Sequence, residues 1–113
     1  MKIHELKLAT TPFESIKSGG KIIESRLFDE RRKEIEIGDE LRFINRDHPQ
    51  SIIRAKVIDL MRYRSFEEMF KDNNPSDFGG ESVDWLMKQI REFYSPEDEM
   101  KDGVLGILFK LLN

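Results

Sequence analysis

The chain has 113 residues, 38% of them hydrophobic and 36% charged, with a formal net charge of −3 and no cysteine. That length suits one domain, residues 1–113, and the composition excludes disulfides, thiolate catalysis, cysteine-based zinc sites and a surface that is basic throughout. The charge is uneven: residues 1–64 carry 14 Lys/Arg against 11 Asp/Glu, and residues 65–113 carry 5 against 11, which is compatible with a basic face on the first half.

Residues 2–9 alternate, with His4, Leu6 and Leu8 on one face, and predict a first strand. Thr10-Thr11-Pro12 offers a cap and a proline suited to a first helical turn. Phe13 and Ile16 make that short helix's apolar side, and Gly19 can close it in a left-handed conformation. Residues 21–28 predict a second strand, and the charged stretch 29–33 a loop. After an Ile-Gly-Asp turn, residues 40–45 predict a third strand with Leu41 and Phe43 on one face. A polar turn over 46–50 leads into a returning strand over 51–60, where Ile53, Ala55 and Val57 face one way.

Ser65-Phe66-Glu67-Glu68 reads as a capping box opening a short helix through Phe70. Residues 72–80 are rich in Asn, Pro, Asp and Gly and predict a loop. Residues 82–94 carry an apolar stripe at helical spacing. Ser95-Pro96 restarts a short helix, and residues 104–112 form an apolar last strand placed at a sheet edge. Five or so strands with small inserted helices predict an α+β fold centred on a small closed or half-closed β-barrel.

The chemistry concentrates in Gly19-Gly20-Lys21-Ile22-Ile23-Glu24-Ser25-Arg26. Charges are rare in half-buried strands unless paired or used. On a regular strand the side chains at 24 and 26 leave from one face, roughly 6.5–7 Å apart, and Lys21 starts the same strand after a glycine turn. The result is a Lys/Glu/Arg cluster. His4 and His48 have no partner at metal-ligand spacing, so no metal or cofactor is expected. No stretch has a signal-peptide core or the length to span a bilayer, so a cytoplasmic location without membrane partners is expected.

Gly19-x-Lys21-x-x-Glu24-x-Arg26 resembles the G-x-K-x-x-E-x-R signature of the ASCH domain, a branch of the PUA-like superfamily. Pro12-Phe13, Ile37-Gly38-Asp39, Phe93-Tyr94-Ser95 and Gly103-Val104-x-Gly106-Ile107 extend the resemblance to the small bacterial stand-alone members. It implies a PUA-like barrel of about five to six strands, flanking short helices, and a cleft lined by the signature that takes RNA or a nucleotide-like ligand. Some small relatives remove the acetyl group from N4-acetylcytidine with a lysine at the position of Lys21 and a threonine at the position of Glu24. This chain keeps the lysine and replaces the nucleophile.

Three readings follow. In a binding cleft, Lys21 and Arg26, with Arg31, Arg32 or Arg54, hold phosphate, Glu24 accepts from a base edge, and Tyr94, Trp85 or Phe28 stacks a base. In a small amidohydrolase acting on N4-acetylcytidine-like nucleosides, Lys21 acts with a water activated by Glu24 or Glu81. In a structural reading, Glu24 pairs with both cations to close the barrel, and the acidic second half meets a protein partner.

Overall fold

The structure is a computed structural model that describes residues 1–112. Five strands form one curled sheet, a half-closed barrel: β1 (Ile3–Leu8), β2 (Ile23–Leu27), β3 (Glu40–Asn45), β4 (Ile52–Tyr63) and β5 (Val104–Leu111). Their spatial order is β1-β3-β4-β5-β2, with β1 parallel to β3 and every other pairing antiparallel. Four helices flank the sheet: α1 (Thr10–Lys17), α2 (Phe66–Lys71), α3 (Val83–Ile90) and α4 (Pro96–Asp102). Among the described residues no helix is long and apolar enough to cross a membrane.

Two hydrophobic cores lie on opposite faces of the sheet. The alternation read in β1, β3 and β4 fills the barrel interior, where Leu6, Leu8, Leu41, Phe43, Ala55 and Val57 meet Phe13 and Ile16 of α1. On the outer face, Phe66, Met69 and Phe70 of α2 and Leu86 of α3 cover Ile23 and Leu27 of β2. β5 serves both cores. Leu105, Ile107 and Phe109 point inward, while Val104 and Leu108 face the helices. At Gly106 an added Cβ would lie 2.8 Å from Met69 Sδ, so glycine there lets α2 close on the sheet.

Several expectations are corrected. β5 is not an edge strand but lies between β4 and β2, as suits an apolar run covered on both faces. β4 runs three residues past Leu60 because Met61, Arg62 and Tyr63 still pair with β5, and its register with β5 shifts between Val57 and Asp59. Such an irregularity breaks the two-residue alternation that strand reading relies on. Thr10 does not cap α1: Ala9 occupies the cap position, and the Thr10 hydroxyl donates to Asp47 Oδ2 at 2.7 Å, tying α1 to the turn after β3. Ser65 does accept from Glu68 N, but no bond returns from the Ser65 N–H to the Glu68 carboxylate, which faces Arg64, and the reciprocal capping box is at Ser95 and Asp98. The stripe over 82–94 is helical only to Ile90, and the loop over 72–80 contains a 3-10 turn, Pro75–Phe78. A second such turn, Arg32–Glu34, lies within the loop after β2.

Candidate functional site

Lys21 precedes β2 instead of starting it, and its backbone is fixed from two sides. Its N–H donates to Ser15 O at 3.1 Å, and the next N–H, of Ile22, donates to Asp77 O at 2.8 Å. Gly19 makes the turn out of α1 at φ +88°, and Gly79, at φ +81°, passes so close that an added Cβ would lie 3.2 Å from Lys21 Cβ. The Lys21 side chain therefore runs along a path that two backbone segments define.

In β2, Glu24 lies opposite Ile107 and Arg26 opposite Leu105. Residues paired in this way share a sheet face, so both side chains leave toward the barrel side of the open edge. Glu24 is 3% exposed and takes one cation on each oxygen: Lys21 Nζ at 2.8 Å from Oε1 and Arg26 Nε at 2.8 Å from Oε2. Burial alone would push the Glu24 carboxyl upward, but the Lys21 and Arg26 charges and their hydrogen bonds outweigh it and hold the pKa at about 2. The Arg26 guanidinium is itself held above its ordinary value: burial opposes its charge, while Glu24, and after it the Tyr94 hydroxyl, favours it. A terminal nitrogen of Arg26 also donates to the Lys7 carbonyl at 3.0 Å.

This cluster lines a cleft of about 420 Å³. Lys7, Thr11 and Ser15 come from β1 and α1, Trp85, Leu86, Gln89 and Ile90 from α3, and Phe93 and Tyr94 from the turn that follows. The walls are mostly apolar, and the polar groups converge where Lys21, Glu24 and Arg26 meet. Tyr94 is stacked on Phe66, ring centroids 5.6 Å apart, so its ring is held by the outer core. Arg91 and Phe66 N both bind buried Glu99, at 2.8 and 2.6 Å, which ties the end of α3 to α2 and α4 behind the aromatic wall.

The cleft thus brings together Lys21, Glu24, Arg26, Tyr94 and Trp85. Glu81 is exposed and does not line it. Arg31 and Arg32 line a different concavity, beside β1 and β3. Arg54 pairs with Glu40 at 2.8 Å, beside Arg42. Phe28 lies under Arg62, 3.9 Å from guanidinium carbon to ring centroid, outside the cleft. Sequence reading missed Arg46, Gln89 and Glu92, which line the cleft from the turn after β3 and from the α3 region. Only the helical stripe over 82–94 held any signal for two of these. Among the described residues no group of three or more His, Asp or Glu is placed to hold a metal ion.

The sequence profile of the ASCH domain family matches residues 6–111. The chain belongs to the ASCH domain family. That family is PUA-like and generally associated with RNA. The ASCH chain described here is similar to the crystal structure of the hypothetical protein PH0355, at 33% identity over 99% of this chain and 100% of that one, TM-score 0.86. It is also similar to the solution structure of protein PF0455 from Pyrococcus furiosus, at 30% identity over 100% and 99% of the two chains, TM-score 0.77. The ASCH protein from Zymomonas mobilis shares the fold, with a TM-score of 0.67 at 15% identity over 94% of this chain and 65% of that one. No curated protein matches in sequence.

Proposed function

We propose that this cleft binds RNA or a nucleotide-like ligand by taking up one unpaired base. The observation that carries the reading is the Glu24 carboxylate, buried and ionised between Lys21 and Arg26 at the polar end of an otherwise apolar cleft. Each carboxylate oxygen has more than one lone pair, so a base amine can still donate to Glu24 while both cations stay in place. Exocyclic amines are what a carboxylate reads on a base edge. Trp85 and Tyr94 supply planar rings for stacking. Arg46 and Lys7 supply positive charge where a sugar-phosphate would leave the cleft.

The same geometry weighs against Glu24 as the base of an amidohydrolase. An efficient general base has a pKa near the working pH, and a carboxyl held at about 2 accepts protons poorly at neutrality. Glu81, the other carboxylate considered, is not part of the cleft.

The test uses Trp85, the single tryptophan of the chain, as a fluorescent reporter. Titration with the four ribonucleoside monophosphates should give saturable quenching by at least one, weakened in Lys21→Ala. N4-acetylcytidine incubated with the protein should remain acetylated. Absence of quenching by every nucleotide would overturn the binding reading. Release of free cytidine that Lys21→Ala abolishes would replace it with the hydrolase.

A further inference from the structure

A second concavity, of about 450 Å³, is lined by the preceding stretch of the strand that reaches the cleft. Residues 3–6 of β1 line it, and the next residues, 7–9, line the cleft. Arg31 and Arg32 come from the loop after β2, and Arg42 from β3. Arg31 is exposed, and no ion pair engages it among the described residues. Arg32 uses one terminal nitrogen on Asp29, and Arg42 uses its Nε on Glu40. Their remaining guanidinium N–H groups have no partner among the described residues. Glu5 and Glu34 also line the groove, so the charge free to meet an anion is that of Arg31, with the open N–H groups of Arg32 and Arg42 beside it.

The placement bears on the size of the ligand. β1 has six residues, which at the rise of a strand extend about 20 Å, too far for one nucleotide to touch both ends. A mononucleotide can fill the cleft, whereas only a chain can occupy cleft and groove together. The groove is polar and edged with guanidinium forks, which match phosphate oxygens, and it offers little apolar surface to bury peptide side chains.

We propose that the ligand is a polymer: a single-stranded RNA segment that places one base in the cleft and lays its adjoining backbone along β1 into the arginine-edged groove. This rests on the reading of the cleft as a base-binding site. The cleft selects the base; the groove adds affinity without reading sequence, because phosphate contacts position and base contacts specify.

The experiment compares one ribonucleotide as the monophosphate and as homo-oligomers of about four and eight residues, titrated against wild type, Lys21→Ala and Arg31→Glu. The oligomers should bind about tenfold tighter than the monomer or more, since the second contact is made intramolecularly. Arg31→Glu should collapse the ratio of oligomer to monomer affinity and reduce the salt slope of oligomer binding by about one. Arg31 is exposed and unpaired among the described residues, so its replacement leaves the fold intact, and a thermal melt checks this. Equal affinities for monomer and oligomer, or wild-type oligomer binding by Arg31→Glu, would overturn the proposal. Failure of the cleft reading looks different: no saturation by the monomer, and oligomer binding indifferent to Lys21→Ala. That result overturns both.

Discussion

The guanidinium of Arg26 donates to the carbonyl oxygen of Lys7 at 3.0 Å while its Nε holds Glu24 at 2.8 Å. Arg26 lies on β2 and Lys7 on β1, the two outer strands of the sheet. One side chain therefore spans the opening that no backbone ladder closes. Removing it leaves Glu24 buried with only Lys21 as a partner. Arg26→Ala should destabilise the protein by roughly 3–5 kcal/mol, the range for breaking a buried ion pair, as measured by chemical denaturation. Arg26→Lys should recover only part of this, because an ammonium lacks the planar fork that serves Glu24 and Lys7 together. A change below about 0.5 kcal/mol in the alanine variant would mean that the seam holds without this side chain.

Acid should weaken the fold through the same carboxylate. The Glu24 pKa is about 2 in the folded state against an ordinary 4.5. Its stabilisation is therefore fully present above pH 4.5 and is lost as the pH falls toward 2, to a total of about 3 kcal/mol. Asp39 and Glu40, also held at about 2, lose theirs in the same direction. Glu24→Gln should be less stable than wild type at pH 7 but show a shallower decline between pH 4.5 and 2, read from urea midpoints across that range. Parallel declines would show that Glu24 does not contribute to acid sensitivity.

Gly79 links backbone conformation to the cleft. Any other residue there meets both a left-handed φ and Lys21 Cβ at 3.2 Å. Gly79→Ala should lower stability by about 1–2 kcal/mol from the backbone alone. By displacing Lys21 it should weaken nucleotide binding further than Gly19→Ala, whose added Cβ meets nothing within 4 Å. Calorimetric titration of both variants makes the comparison, and equal losses would count against a Lys21 effect.

Trp85 tests stacking. It lines the cleft and is half-buried against the outer core. Trp85→Ala should reduce RNA affinity by about 1–3 kcal/mol per base stacked, followed by calorimetry because the variant has no tryptophan. Trp85→Phe, which keeps a ring, should retain most of it. An alanine variant that binds as wild type would leave Trp85 with a packing role only.

The parts of this fold that could be read in advance are those where one rule governs a whole segment. Leu41 with Phe43, and Ile53 with Ala55 and Val57, declare their shared face because the strand period is two and one side is buried. Glu24 and Arg26 were legible for the same reason, and Lys21 joined them through its nearness in sequence, the cluster spanning only six residues. What lay beyond reach depends on segments distant in sequence. Arg31 and Arg32 follow β2 closely yet face β1 and β3, because the chain leaves β2 at the end away from Lys21. Arg54 is drawn to Glu40 by a cross-strand pairing that β3 and β4 define only once in register. Arg46 and Gln89 reach the cleft from elements whose docking no local pattern specifies. β5 misled because an unbroken apolar run does not say which neighbours cover it.

With Leu105, Ile107 and Phe109 in one core and Val104 and Leu108 in the other, β5 gives the two cores a common boundary. Loss of β5 from one core removes a wall of the other, which couples their melting. Unfolding should accordingly be all-or-none, with Trp85 emission and backbone ellipticity giving the same midpoint. The cleft leans on the outer core and opens at the barrel's edge, so a substitution that loosens the barrel far from it should loosen its walls as well.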